Sequence, residues 1–194
     1  MEKRVRNSLL VMLLLSVLLV AAANFWGYRS GAAGMEAREE RAARIVQYFG
    51  GVTFDGEPVT ADLLKGHTLT VLNVWATDCG PCIAEMPDLN ALSEEYAAQD
   101  VQFLGLCTGN LSLEHSSQIQ EEARGILEQC GVTYRNIFPT DEFLTGFLDE
   151  NVVTFPTTFF FDENGQYIDH TVGANIADNW RLIIDTHLQQ QKEG

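Results

Sequence analysis

The sequence predicts an α/β fold in which a mixed central β-sheet is flanked by helices. Residues 69–75 (LTVLNVW) and 101–107 (VQFLGLC) are nearly continuous apolar runs, as strands buried on both faces require. A helical pattern follows each run, over residues 82–97 and 114–129. The chain then closes with a hairpin and a further helix. The order β-α-β-α-β-β-α implies a mixed sheet with helices on both of its faces.

Within this order, proline, glycine and turn residues mark the ends of the elements. Pro87 lies inside the first helical pattern and predicts a kink there, and Gly131 predicts the end of the second helix. Residues 157–161 (TTFFF) and 166–172 are separated by Asp-Glu-Asn-Gly, which predicts a hairpin with a tight turn. Residues 176–190 have the pattern of an amphipathic closing helix.

The N-terminus reads as a membrane-targeting segment. Residues 9–23 form an apolar run that no charged residue interrupts, and three basic residues precede it: Lys3, Arg4 and Arg6. This charge order sends the remainder of the chain across the membrane. We expect residues 1–26 to be a retained single-pass signal-anchor, with the catalytic domain extracytoplasmic. The alternative is secretion after cleavage near the alanines at 21–23.

The rest of the chain is predicted to be a linker with a lead-in helix, residues 27–50, followed by one domain, residues 51–194. From residue 45 onward the chain carries five basic and 23 acidic side chains, a net charge of −18. Such a surface is repelled by phosphate backbones, so we expect no nucleic-acid partner.

The stretch WATDCGPCIAEMP, residues 75–87, holds two cysteines at the junction of a strand and a helix. A zinc site needs four ligands, and the other cysteines and histidines are scattered, so we expect no metal. Covalent haem attachment needs a histidine where Ile83 stands. A static disulfide remains open, but the junction favours a cycling dithiol. There the helix N-terminus favours a thiolate on Cys79, and Cys82 lies close enough to resolve a mixed disulfide.

Two motifs together, VLNVWATDCGPCIAEMP and FPTTFFFDENGQ, resemble the TlpA/ResA group of membrane-anchored, extracytoplasmic thiol–disulfide oxidoreductases. The resemblance covers roughly residues 52–188 and implies a thioredoxin-like fold. It also implies that Pro156 is a cis-proline lying against the active-site disulfide, followed suitably by Thr157. A cis bond there would leave the backbone of Phe155 free to pair with an extended substrate strand.

The resemblance also implies that Glu85 lies near the buried cysteine and tunes its proton exchange. Asn73 stands where thioredoxin holds a buried acid, which makes Glu85 the better acid–base candidate. Asp78 replaces an aromatic residue that the family usually has, and its carboxylate should oppose the helix dipole at Cys79. We therefore expect Cys79, Cys82 and Glu85 to be catalytic. The expected substrate contacts are Trp75, Asp78, Gly80, Pro81, Phe155 and Pro156.

The expected reaction is thiol–disulfide exchange through the Cys79–Cys82 pair, without a cofactor. The Gly-Pro dipeptide is that of thioredoxin and favours a protein-disulfide reductase. Its expected substrates are exported proteins with disulfides, such as apocytochrome c, and its electrons would come from a transmembrane thiol donor. The alternatives are a dithiol oxidase or isomerase, and a non-catalytic binding module on the same fold. A peroxidase is less favoured because the cysteines form a close pair.

Two further cysteines end separate elements. Cys107 closes a strand and Cys130 closes the helix that follows, roughly 20 Å from that helix's start at about 1.5 Å per residue. This separation predicts two small buried residues rather than a disulfide.

Overall fold

A computed structural model describes residues 40–41, 43–110 and 116–193. The elements below belong to the unit formed by residues 42–194. Residues 43–48 form helix α1. The strands are β1 (Gly50–Thr53), β2 (Pro58–Thr60), β3 (Leu69–Trp75), β4 (Val101–Cys107), β5 (Arg135–Pro139), β6 (Thr157–Phe161) and β7 (Tyr167–Val172). The longer helices are α2 (Gly80–Glu95), α3 (Ser117–Gln129) and α6 (Ala177–Glu193).

Short helical segments complete the chain. Ala61–Leu64 and Ala97–Gln99 are 3-10 helices. Between β5 and β6, α4 (Asp141–Phe143), a π-helical turn (Leu144–Leu148) and α5 (Asp149–Asn151) follow one another without a break.

The seven strands form one mixed sheet in the order β2-β1-β5-β4-β3-β6-β7. Strand β3 runs parallel to β4, and β4 runs parallel to β5. The other neighbouring pairs are antiparallel. The predicted α/β architecture is therefore confirmed, with β3 at the interior of the sheet.

The most apolar predicted elements are found where the sequence places them. Strands β3, β4 and β6 have the expected bounds, and Gly131 ends α3 in a left-handed conformation at φ 67°. Pro87 lies inside α2, which continues through it. The sequence prediction missed β1, β2, β5 and the helical stretch between β5 and β6.

Side chains of β3 alternate between the two faces of the sheet, as the two-residue period of a strand requires. Leu72 and Val74 pack in one apolar cluster with α1, β5 and the helical stretch before β6. Leu69 and Val71 pack on the opposite face with α2 and α6. Asn73 shares the parity of Leu69 and Val71, which places it on the face that α2 and α6 cover.

The segment that enters the domain packs into its core. Ile45 and Phe49 are buried, and Gly50 then begins β1. A Cβ atom at Gly51 would collide with the Phe138 carbonyl of β5, so the close approach of these strands requires glycine.

The predicted signal-anchor, residues 1–26, lies outside the described residues, and so does most of the predicted linker. No helix within the described part of the chain has the length and apolar character needed to cross a membrane.

Candidate active site

The cysteine pair lies at the N-terminus of α2, directly after the turn that leaves β3. Cys79 caps the helix in an extended conformation, and Pro81 occupies its first turn. Cys79 and Cys82 form a disulfide with Cα atoms 5.3 Å apart. The Cys82 backbone N–H donates to Cys79 Sγ at 3.3 Å. The helix N-terminus therefore directs an N–H group at the sulfur of the first cysteine, which stabilises negative charge there.

The two sulfurs differ in their access to solvent. Cys79 is 4% exposed and lines a pocket, whereas Cys82 is fully buried. Thiol–disulfide exchange needs such an arrangement, with one cysteine open to a pocket and its partner buried behind it.

The pocket beside Cys79 has a volume of about 470 Å³. Residues 78–81 line one side, and Asp149 with residues 152–155 lines the other. The fold thus brings together Asp78, Gly80, Pro81 and Phe155, which the sequence placed among the substrate contacts. A larger open cavity of about 740 Å³ lies between α3 and the β1–β2 hairpin, and it contains no cysteine. The smaller pocket is the one with reactive chemistry.

The loop facing the disulfide ends in a cis peptide bond between Phe155 and Pro156, as the resemblance implies. Phe155 packs against the apolar cluster that contains Cys79 and Cys82. Among the described residues, neither the N–H nor the carbonyl of Phe155 has a hydrogen-bond partner. A polypeptide strand that reaches the pocket could pair with this backbone.

Two of the expected substrate contacts are buried beneath this surface. Trp75 is 1% exposed, and its indole N–H donates to Asn136 Oδ1 at 3.0 Å. Pro156 is buried, and its carbonyl accepts from the Gly173 N–H at 2.8 Å. The Trp75 side chain therefore supports the cysteine pair from below and offers no surface to a substrate.

Glu85 lies three residues after Cys82 on α2, so both side chains point to the same side of the helix. Glu85 is only 3% exposed. Its Oε1 accepts from Asn73 Nδ2 at 2.9 Å, and its Oε2 accepts from the Asn175 backbone N–H at 3.0 Å. Asn73 Nδ2 also donates to the Thr158 hydroxyl at 3.0 Å.

Burial raises the pKa of the Glu85 carboxyl to about 7, because the ionised form loses its hydration. The hydrogen bonds from Asn175 and Asn73 oppose this rise. The Trp180 indole also lowers the pKa of Glu85 slightly, although its N–H does not reach hydrogen-bond geometry. The negative charge of Asp88 raises this pKa by a small amount. A carboxyl group with a pKa near neutrality can both accept and donate a proton under ordinary conditions.

Cys107 and Cys130 are both free thiols, so the expectation that they form no disulfide is confirmed. Cys107 is fully buried, and burial raises the pKa of its thiol to about 12. Cys130 differs from the prediction because it is only half-buried. Its thiol lies 3.8 Å from the Ile83 carbonyl, and partial burial raises its pKa.

Sequence reasoning missed three groups that shape the site: Thr158, Asn175 and Asp149. Thr158 was assigned only to a strand, and Asn175 acts through its backbone, which no side-chain pattern reveals. Asp149 comes from the helical stretch before β6, which was not predicted. Within the described chain, no three His, Cys, Asp or Glu side chains are grouped so that they could hold a metal ion.

A family model described as Redoxin matches residues 41–182. The chain belongs to the Redoxin family. It is 32% identical over 134 residues to the thioredoxin-like protein YneN of Bacillus subtilis, covering 69% of this chain and 72% of that protein. It is 30% identical over 139 residues to the thiol-disulfide oxidoreductase ResA of Geobacillus kaustophilus, covering 66% and 71% of the two chains.

A solved structure supports the same assignment. The thiol:disulfide interchange protein of Chlorobium tepidum superposes with a TM-score of 0.59 at 26% identity, covering 72% of this chain and 92% of that one. The resemblance to the ResA group and the thioredoxin-like fold are therefore confirmed. The protein is a thiol–disulfide oxidoreductase whose disulfide is Cys79–Cys82. Oxidoreductases of this type use a redox-active disulfide and no external cofactor.

Proposed function

We propose that this Redoxin-family protein reduces disulfides of exported proteins on the outer side of the membrane, with Cys79, Cys82 and Glu85 as its catalytic residues. The observation that carries the proposal is the asymmetry of the disulfide. Cys79 faces a pocket at a helix N-terminus, and Cys82 is buried beside a buried carboxyl group. The Gly-Pro dipeptide between the cysteines, shared with thioredoxin, supports the reducing direction.

The reaction begins with the reduced enzyme. The Cys79 thiolate attacks one sulfur of the substrate disulfide, and the other substrate sulfur leaves as a thiolate that takes up a proton. A mixed disulfide now joins Cys79 to the substrate. In the second step Cys82 loses its proton to the Glu85 carboxylate and attacks Cys79 Sγ. The second substrate sulfur leaves as a thiolate that takes up a proton, and the Cys79–Cys82 disulfide of the structure is formed.

The pocket residues hold the substrate during these steps. The backbone of Phe155 pairs with an extended segment of substrate, while Gly80 and Pro81 form the opposite wall. Asp78 and Asp149 place carboxylates at the pocket, which favours substrate segments with basic side chains beside the cysteine. Pro156 shapes the loop, and Trp75 supports the pair from within the core.

Each turnover leaves the enzyme oxidised, so two electrons must return to it from a dithiol donor. With the domain outside the cytoplasm and residues 1–26 as its membrane anchor, a transmembrane thiol carrier supplies them. The substrates are exported proteins whose cysteines must be reduced, such as apocytochrome c before haem attachment.

Trapping tests both substrate and direction. Cys82→Ser leaves Cys79 able to attack but removes the resolving thiol, so mixed disulfides accumulate in the native cell. The trap is built on Cys130→Ala, because Cys130 is half-buried and could capture proteins on its own. The matched control is the same chain with Cys79→Ser. The proposal would be contradicted if every protein captured by the trap were also captured by the control that lacks Cys79.

The reduction potential decides the direction separately. A value well below about −180 mV indicates a reductase, and a value at or above it indicates an oxidase or isomerase. Insulin reduction by the intact protein, compared with Cys79→Ser, distinguishes an enzyme from a binding module on the same fold.

A further inference from the structure

Asn73 joins the central strand of the sheet to the buried carboxyl group of the active site. Its side chain lies on β3 and is 2% exposed. One nitrogen, Nδ2, donates both to Glu85 Oε1 at 2.9 Å and to Thr158 Oγ1 at 3.0 Å. The other end of the carboxamide, Oδ1, is buried and has no hydrogen-bond partner among the described residues. The hydrogen bonds of the Asn73 side chain are therefore concentrated on its Nδ2 atom, which faces Glu85.

The two oxygens of Glu85 have different neighbours. Oε2 faces the backbone N–H of Asn175, a group that can only donate. Oε1 faces the carboxamide of Asn73, which presents a donor in one orientation and an acceptor when it is turned over. A proton on Oε2 would oppose a fixed donor, whereas a proton on Oε1 can be accepted by Asn73.

We propose that Asn73 is a positioning residue whose carboxamide turns over as Glu85 gains and loses its proton. With Glu85 ionised, Nδ2 donates to Oε1, as in the structure. With Oε1 protonated, the turned carboxamide accepts the Glu85 O–H through Oδ1. The Thr158 hydroxyl serves both orientations, because it can accept from Nδ2 or donate to Oδ1. In either orientation the outer atom of the carboxamide has no partner, so the proton on Glu85 decides between them.

Other groups around Glu85 act on its proton without changing orientation. From α2, Asp88 faces it with a like charge, and the Asp88 carboxylate is itself held by the Ala177 N–H at the start of α6. The Trp180 indole approaches Glu85 from α6. The Tyr134 hydroxyl, in the segment before β5, interacts electrostatically with the Glu85 carboxylate. Asn73 is the one neighbour named here that can present either a donor or an acceptor to Oε1.

The first test reads the proton on Glu85 directly. In the oxidised full-length protein, Cys79 and Cys82 are disulfide-bonded and do not titrate. Carbonyl-carbon NMR of ¹³C-labelled glutamate then reports the Glu85 midpoint, assigned by its loss in Glu85→Gln. Asn73→Leu removes both hydrogen bonds, and the charge-assisted one to the ionised carboxylate is the stronger. We therefore expect the Glu85 midpoint to rise by about half a pH unit, a roughly threefold higher proton affinity. An unchanged midpoint in the folded variant overturns the proposal.

A second variant keeps the test decisive if Asn73→Leu does not fold. Thr158→Val removes the hydroxyl that steadies the carboxamide, and should raise the Glu85 midpoint in the same direction by a smaller amount. The matched control is Thr70→Val on β3, a buried threonine whose hydroxyl donates to the Leu64 carbonyl. Equal midpoints in Thr158→Val and Thr70→Val would show that the hydroxyl has no part in the switch.

The link to catalysis rests on the proposed function and has its own measurement. The reduced protein reacts with bis(2-hydroxyethyl) disulfide, a neutral probe, and the rate is followed against pH. Asn73→Leu should shift the pH–rate profile to higher pH when Glu85 is present. It should leave the profile unchanged in the Glu85→Gln background. A shift in both backgrounds contradicts a role through Glu85. If the wild-type protein does not react with the probe at all, the proposed function is wrong, while the NMR midpoints still decide the role of Asn73.

Discussion

All four cysteines of the chain belong to one apolar cluster around Trp75, yet only Cys79 and Cys82 are bonded. The pairs differ in their position relative to helix ends. Cys79 caps the N-terminus of α2, where the helix dipole stabilises a thiolate. Cys130 caps the C-terminus of α3, where the dipole has the opposite effect. Cys107 ends a buried strand and is not at a helix end.

This difference shows that sharing a core does not make cysteines a redox pair. Three residues of helix bring the sulfurs of Cys79 and Cys82 together, and a pocket exposes one of them. Cys107 and Cys130 lack this local connection. The pair that is close in sequence is bonded, and the two cysteines that share only the apolar cluster remain free.

The largest expected effect separates the two pairs by activity. Cys79→Ser should reduce the rate of insulin reduction to that of the uncatalysed control, because no other thiol in the described chain faces the pocket. Cys107→Ala and Cys130→Ala should stay within about twofold of the unsubstituted protein, since neither thiol lines the pocket. Loss of activity in a folded Cys130→Ala protein would break the comparison.

Alkylation compares the two free thiols with each other. In the oxidised protein, iodoacetamide should modify Cys130 on the order of a hundredfold faster than Cys107, because Cys107 is fully buried with its pKa raised to about 12. Peptide mapping by mass spectrometry measures both rates. In denaturant the two rates should converge, and a difference that persists there would show that burial is not its cause.

The carboxyl group that accompanies the bonded pair predicts a pH-dependent stability. Folding raises the pKa of Glu85 from 4.5 to about 7, so the folded state binds this proton more tightly than the unfolded state. The protonated carboxyl stabilises the fold at low pH, and this contribution is lost as pH rises through about 7. Glu85→Gln should therefore be more stable than the unsubstituted oxidised protein by about 1–3 kcal/mol near pH 8, and the difference should shrink toward pH 5.

Urea unfolding at the two pH values measures this effect. Glu142→Gln is the matched control, because Glu142 is exposed and carries the same charge. A stability difference between Glu85→Gln and the parent that does not change with pH would contradict the raised pKa.

The smallest expected effect concerns Asp78, which precedes the bonded pair. Its carboxylate opposes the helix dipole at Cys79, so Asp78→Asn should let the Cys79 thiolate form at a pH lower by roughly half a unit. Ultraviolet absorbance of the thiolate in the reduced protein follows this titration. The effect should weaken in high salt, since Asp78 is exposed. A titration that does not move would remove Asp78 from the account of Cys79 reactivity.

The sequence was a reliable guide where the information is local. Strands β3, β4 and β6 are mostly apolar segments buried almost throughout, and their bounds were predicted without error. Strands β1 and β2 are four and three residues long, and β2 forms the edge of the sheet beside β1. Only Gly51 among their residues is buried, so they give no periodic apolar signal. Gly50 and Gly51 end one helix in the sequence pattern, and their pairing with β5 is decided only in the folded sheet.

From the amino-acid sequence alone came the reactive pair itself, since two cysteines three positions apart at a strand–helix junction are within reach of each other in any fold that keeps the junction. Tertiary structure decided which groups surround the pair. Asn73, Thr158 and Asn175 come from three separate parts of the chain to hold Glu85, and Asp149 reaches the pocket from a segment 70 residues away from Cys79. The physical reason for this difference is the distance along the chain over which each interaction acts. Helix capping acts over one turn, whereas the burial that sets the proton affinity of a carboxyl group depends on every element packed around it.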